Sequence, residues 1–198
     1  MMPLRQSLLP TRQLTHFGTM QKCFDDEEID RIRFFKKILE FKQAETVEGA
    51  GDYRVCESAT MPVDQNTQWL WDKVGDISAS ANYDLFLYDI EYIESIEYLV
   101  YEGNNNRYDW HIDTSLLGYR KYDRKISATI MLSDPTDYEG GELIVDSTGT
   151  GLEENFYKMK MEKGDVTFFD SHFRHCVSPV TSGIREVLVF WVHGKNKL

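Results

Sequence analysis

The sequence predicts a mainly β, α+β fold: a jelly-roll or other closed double sheet, braced on one outer face by helices near the N-terminus. Three observations carry this. Apolar residues recur at helical spacing in the first third of the chain and at period two from about Ser95 onward. About eight short period-two segments are separated by turns rich in glycine, asparagine or proline. Aromatics make up 13% of the 198 residues, and many fall inside those segments, which favours strands. A chain of this length is expected to form a single domain over 1–198. Within it, approximately 1–90 reads as a helical support region and 91–194 as the β core.

The elements follow in order. Asp25 is placed as the N-cap of a first helix, with Glu28 three residues on completing a capping box. The acidic run Asp25-Asp26-Glu27-Glu28 suits the positive end of the helix dipole. Ile29, Ile32, Phe35 and Leu39 then form one apolar stripe. A loop is expected at Glu48 to Asp52. A second helix is expected over about Gln65 to Ala79, with Trp69, Leu70, Val74 and Ile77 as its buried side. Ile96 to Tyr101 alternates and ends at Gly103-Asn104-Asn105-Asn106, a strong turn signal. Further strands are expected at Tyr108 to Asp113, Lys125 to Leu132, Gly141 to Asp146, Tyr157 to Glu162, Asp165 to Phe169, His175 to Val177 and Ile184 to His193. Turn chemistry separates them at Asp134-Pro135, Gly140-Gly141, Gly149-Thr150-Gly151, Lys163-Gly164-Asp165 and Ser182-Gly183.

Composition narrows the function classes. Hydrophobic residues at 41% and charged residues at 28% are ordinary for a folded globular chain. A formal net charge of -11 argues against nucleic acid and anionic membrane surfaces as partners, because the molecule repels polyanions. Cys23, Cys56 and Cys176 are odd in number and lack a CxxC spacing, so neither a disulfide framework nor a zinc knuckle is expected. The first twenty residues lack the roughly 7 to 15 apolar residues of a signal-peptide core. No apolar run approaches the roughly 18 residues that span a bilayer. A cytoplasmic setting without membrane contact is therefore the expectation, the host cytoplasm if the chain is phage-encoded. No coiled-coil or repeated patch points to an oligomeric state.

His111-Ile112-Asp113 is an H-x-D pair on an expected strand, where alternation puts both side chains on one face about 7 Å apart at Cα. The tripeptide alone arises readily by chance in a chain with 33 acidic residues. A third ligand must come from another strand. His172 and His175 compete for that role. His175 is preferred because it opens the apolar step Cys176-Val177, whereas His172 follows Asp170-Ser171 in what reads as a turn. His16 and His193 have no ligand-spaced neighbour and read as structural. Two histidines and one carboxylate form the facial triad of non-haem Fe(II) oxygenases: one carboxylate offsets one charge, and open positions remain for a chelating co-substrate and dioxygen. A structural zinc site would instead close its fourth position.

Arg185 opens the most apolar strand. By period two it shares a face with Val187, Val189 and Trp191, which would bury it. A buried guanidinium is costly unless paired, and its fork of donors matches a carboxylate. The rival reading is a salt bridge to Glu186 or another acid, or an arginine reaching solvent. Its position ten residues after His175 favours a bound dicarboxylate. The hydroxyls of Tyr101, ten residues before His111, and of Thr129 could supplement it.

The stretches Tyr108 to Ser115 (YDWHIDTS), Lys125 to Val145 (KISATIMLSDPTDYEGGELIV) and Lys163 to Trp191 (KGDVTFFDSHFRHCVSPVTSGIREVLVFW) together resemble the prolyl/lysyl-hydroxylase (PKHD-type) Fe(II)/2-oxoglutarate-dependent dioxygenases, bacterial and phage type. The resemblance covers roughly the C-terminal half. It implies a double-stranded β-helix core of the cupin-like, jelly-roll kind, and Fe(II) on His111, Asp113 and His175. It further implies 2-oxoglutarate held through Arg185, dioxygen as second co-substrate, and room for ascorbate as an accessory reductant. Gly140-Gly141 would be a structural turn. Members of the family decarboxylate 2-oxoglutarate with dioxygen and insert oxygen into an unactivated C–H bond. One departure stands out: eukaryotic prolyl hydroxylases carry a tyrosine where this chain has Met131, which weakens transfer of prolyl specificity.

The expected substrate is a protein or peptide side chain, proline first. Alternatives are a small molecule or nucleobase under the same chemistry, or a non-oxidative metal-binding jelly roll. The last has no use for a buried arginine ten residues past its final ligand. The expected entrance is built by the Asn104 to Tyr108 turn, the Thr114 to Asp123 loop and the Asp146 to Phe156 loop.

Overall fold

A computed structural model describes residues 14–44, 53–114 and 121–195. The first helix, α1 (Asp26–Phe34), starts where the capping box predicts. The Asp25 carboxylate accepts from the Glu28 backbone at 2.9 Å, and Glu28 accepts from the Asp25 backbone at 3.0 Å. Ile29 and Ile32 are buried, while Phe35 and Leu39 continue the stripe past the helix end. Helix α2 (Gln68–Ala81) begins three residues later than expected. Asp64 accepts from the backbones of Asn66 and Thr67, so 64–67 closes as a turn instead of joining the helix.

The stretch before residue 90 is not all helix. It also holds β1 (Phe17–Met20), β2 (Lys42–Gln43), β3 (Arg54–Val55) and β4 (Glu57–Thr60). These are two to four residues long, too short for period two to register, and they form by completing the edges of longer strands. Those strands are β5 (Ile90–Glu102), β6 (Asn106–His111), β7 (Tyr122–Met131), β8 (Tyr138–Gly140), β9 (Leu143–Asp146), β10 (Phe156–Met159), β11 (Val166–Asp170) and β12 (Arg174–Lys195). The expected loop at Glu48 to Asp52 lies outside the described residues, as does most of the Thr114 to Asp123 loop.

All pairings are antiparallel. The larger sheet runs β1-β11-β7-β12-β5-β4-β2. The smaller runs β10-β9-β12-β6-β3, with β8 pairing further along β12. The two segments expected at His175 to Val177 and Ile184 to His193 are therefore one 22-residue strand that serves both sheets. Ser182-Gly183 is a bend within it, not a turn: Gly183 has φ +72°, and the register slips between Val180 and Ser182.

Two apolar cores result. Ile29, Ile32, Leu70 and Val74 pack on the outward face of the large sheet, against Ile96, Tyr98, Ile130, Leu188 and Phe190. The alternate residues Leu99, Tyr101, Met131, Val177 and Val187 fill the space between the sheets. Burial on both faces explains why Val187 to Val192 reads as a continuous apolar run. The architecture is the expected jelly roll with helices on one outer face.

Candidate metal centre and anion pocket

Strand β6 ends at His111, and Asp113 lies just beyond it, its backbone N–H donating to the Ser171 carbonyl at 3.1 Å. His175 is the second residue of β12 and faces His111 across the register of these two strands. Candidate donor atoms of His111, Asp113 and His175 all lie within 4.8 Å of one another, and they are the one such group among the described residues. The preference for His175 over His172 agrees with this placement. His172 sits in a turn with its side chain 51% exposed and pairs with Asp170 at 3.0 Å. His193 pairs with Glu94 at 2.7 Å, as befits a structural residue.

The hydrogen bonds orient the ligands. His111 Nδ1 is 2.8 Å from the Asp109 carbonyl and His175 Nδ1 is 2.9 Å from the Phe173 carbonyl. A carbonyl can only accept, so both protons sit on Nδ1 and both Nε2 lone pairs turn inward. They face the Asp113 carboxylate at 3.5 and 3.4 Å. Three lone-pair donors aimed at one point repel each other unless a cation lies between them. Burial, with His175 adding to it, pushes the His111 pKa down. Burial alone would push Asp113 up, but protons on the facing edges of His175 and His111, whose place a bound cation would take, outweigh it and hold the carboxyl well below its usual range. A neutral imidazole and an ionised carboxylate are the states a metal needs.

Several supporting residues were not foreseen. Ser127 donates to Asp113 Oδ2 at 2.7 Å and is itself 2.9 Å from the Ser171 hydroxyl. The Tyr108 ring stacks on His111 with centroids 3.5 Å apart. Arg124, held by Glu94 at 2.7 and 2.9 Å, lies over the Trp191 ring and reaches the Asp113 carbonyl at 3.4 Å. Period two could have put Ser127 on the inner face, but nothing local in the sequence says that its partner is Asp113. Outer hydrogen bonds of this kind tune metal affinity, so Ser127→Ala is expected to weaken divalent-metal binding by about ten- to a hundredfold, read by calorimetry, with the melting temperature little changed.

The cluster opens onto a narrow cavity with about 40 Å³ of room for water-sized molecules, lined among others by Tyr101, Thr129, Val189 and Trp191. Arg185 does not line this cavity; it lies between the sheets beside Tyr101, its partner in the register, 1% exposed and with its guanidinium carbon 5.3 Å from the Tyr101 ring. Its Nε and Nη1 are buried with no hydrogen-bond partner. Glu186, the rival partner, points to the opposite face and is held by Arg33 at 3.2 Å and Lys36 at 2.6 Å. Among the described residues no carboxylate forms an ion pair with Arg185, and burial keeps it from solvent. The Gly140-Gly141 turn leaves room for it: Gly141 has φ +64°, and a Cβ there would come within 2.7 Å of Arg185 Cδ.

Residues 96–193 match the family model described as the 2OG-Fe(II) oxygenase superfamily. The chain is 36% identical over 94 residues to the PKHD-type hydroxylase YbiX of Shigella sonnei, and equally to that of Escherichia coli K12. Those alignments cover 45% of this chain and 39% of each relative, so the chain spans well under half the length of the curated relatives it matches. Three solved structures share the fold. A Pseudomonas putida prolyl-4-hydroxylase superposes with TM-score 0.69 at 16% identity, covering 91% of this chain and 94% of that one. A Trichoplax adhaerens prolyl hydroxylase, in complex with a hypoxia inducible factor oxygen degradation domain peptide fragment, gives 0.71 at 16%, covering 89% and 83%. The viral collagen prolyl hydroxylase of Paramecium Bursaria Chlorella virus-1, in its 2OG complex, gives 0.67 at 18%, covering 90% and 96%. With the His-Asp-His cluster, these matches identify the β core, residues 96–193, as a 2OG-Fe(II) oxygenase superfamily domain.

Proposed function

We propose that the protein is an Fe(II)- and 2-oxoglutarate-dependent dioxygenase that hydroxylates a protein or peptide side chain, proline being the first choice. The observation that carries the reading is the pairing, in one interior, of the three-donor cluster with a buried guanidinium whose Nε and Nη1 have no partner. The donor set fits Fe(II), and the orphaned arginine fits the far carboxylate of a 2-oxo diacid. His111, Asp113 and His175 would hold the metal, Arg185 the distal carboxylate, and Tyr101 would supply a hydroxyl beside it. When bound, iron would activate dioxygen, the oxidant: one oxygen atom would go to 2-oxoglutarate, which is oxidised to succinate and CO2, and the other into the substrate's C–H bond.

The chain's own residues bind and orient. The Asp109 and Phe173 carbonyls keep both imidazole Nε2 atoms turned inward, and Ser127 fixes the carboxylate. Leu99, Val189 and Trp191 make the cavity wall apolar and limit water near the reacting carbon. A peptide substrate is supported by the peptide complex of the Trichoplax adhaerens enzyme on the same fold. A reducing, cytoplasmic setting is supported by Cys23, Cys56 and Cys176 all being free thiols. No helix among the described residues is long and apolar enough to cross a membrane.

The test is an anaerobic Fe(II) titration with and without 2-oxoglutarate, following the weak visible charge-transfer band of a chelated 2-oxo acid. A band that needs both components and is lost in Arg185→Met supports the assignment. Iron binding without any band would turn the reading to a non-oxidative metal-binding jelly roll.

A further inference from the structure

The cavity wall holds an arginine that the reading above does not use. Arg54 lies on β3, the two-residue strand that edges the small sheet, directly opposite Tyr108 in the register. Its side chain is 11% exposed, and it lines the same cavity as His111, Asp113 and His175. Its guanidinium carbon is 4.9 Å from the Tyr108 ring centroid, and Tyr108 stacks in turn on His111. The cation is thus layered, through one aromatic ring, onto a residue of the metal cluster.

Arg54 is poorly paired for a group so enclosed. Its Nε is buried with no hydrogen-bond partner. The nearest acid, Glu97, stands 3.7 Å from Nη2, beyond hydrogen-bond reach. Its other neighbours among the described residues, Tyr101, Cys56 and Tyr108, are neutral groups, of which the Cys56 sulfur accepts a hydrogen bond from it. Among the described residues Glu97 is the one acid that pairs with it, and only at that distance. A partly desolvated guanidinium with a buried, unpartnered Nε–H is costly unless a ligand completes it, and its fork fits a carboxylate.

We propose that Arg54 is a substrate anchor: it binds a carboxylate carried by the substrate close to the carbon that is oxidised, either a free acid or an acidic residue next to the target. The inference rests on the 2-oxoglutarate reading of Arg185, which takes the 2-oxo acid and leaves Arg54 for the substrate. Glu97 is the internal stand-in, loosely held so that an incoming carboxylate can replace it. The overall charge of -11 repels acids, so a local cation inside the cavity is what would gather one.

The test uses matched pairs that differ only in charge: N-acetylproline with N-acetylprolinamide, and acetyl-prolyl-glutamyl amide with acetyl-prolyl-glutaminyl amide. Each is titrated anaerobically into the Fe(II)- and 2-oxoglutarate-loaded protein, by calorimetry and by the visible band. At least one acid is expected to bind about tenfold or more tightly than its neutral partner. Arg54→Gln should abolish that preference, and Arg54→Lys should keep part of it. Glu97→Gln, by removing the competing carboxylate, should strengthen the acid alone, a gain that a merely structural Arg54–Glu97 contact would not give. Equal binding of acid and amide, binding of none of the four, or a preference that survives Arg54→Gln overturns the proposal. So does loss of the band in Arg54→Gln, which would give Arg54 to the 2-oxo acid instead. Absence of the band in the unmodified protein is a failure of the 2-oxoglutarate reading, and the calorimetric comparison on metal-loaded protein still decides the role of Arg54.

Discussion

Asp113→Ala abolishes Fe(II) binding while the far-ultraviolet circular dichroism spectrum keeps its wild-type shape. Asp113 supplies the one anionic donor of the cluster, and both inward-facing Nε2 atoms are oriented about it. Its removal leaves two neutral imidazoles, too few to hold a ferrous ion against water. His111→Ala has the same outcome by removing the donor that the end of β6 presents. Neither side chain belongs to either apolar core, so the sheets stay intact. Equilibrium dialysis against Fe(II), or Mn(II) as an air-stable surrogate, gives the measurement. Wild-type affinity in either variant, or retained 2-oxoglutarate turnover, would place the metal elsewhere.

Arg185→Met shifts two quantities in opposite directions. The affinity for 2-oxoglutarate falls on the order of a hundredfold or more, because a buried carboxylate loses its charge-assisted partner. The melting temperature of the protein without ligand rises by several degrees. Replacing an uncompensated buried charge with an apolar side chain of similar length stabilises by roughly 1–4 kcal/mol, and each kcal/mol shifts a chain of this size by about 2–4 °C. A structural arginine predicts the opposite sign for stability. Differential scanning calorimetry of the two proteins, with and without 2-oxoglutarate, separates the cases. A lower melting temperature in the unliganded variant would mean that Arg185 has a protein partner.

What was legible in the sequence was what has a local period or a fixed spacing. The capping box of α1 needs only Asp25 and Glu28, and it formed as expected. His111, Asp113, His175 and Arg185 sit on or beside long strands, where alternation fixes the face, so their convergence could be anticipated. What was missed depends on pairing between distant segments. Nothing near Arg54 marks it, because β3 is two residues long and exists only through its bonds to β6. Ser127 is an ordinary strand serine until the fold brings Asp113 to 2.7 Å. The division of β12 into two segments came from trusting Gly183 as a turn signal. In the structure its positive φ serves a bend at which the strand passes from one sheet to the other.

That continuity has a consequence for how the protein breathes. β12 hydrogen-bonds to β6, β8 and β9 along its first half and to β5 and β7 along its second, so neither half can detach without dismantling the sheet it joins. His175 and Arg185 therefore ride on the segment whose amides are the last to exchange with solvent, opening only with global unfolding. Arg54 is carried by the shortest of edges, held by two register pairs to β6, and belongs to the opposite extreme. The wall that would meet the substrate can loosen many times over while the residues that would hold the metal and the co-substrate stay fixed. Exchange of one molecule for the next is thus separated, in time as well as in space, from loss of the cofactors.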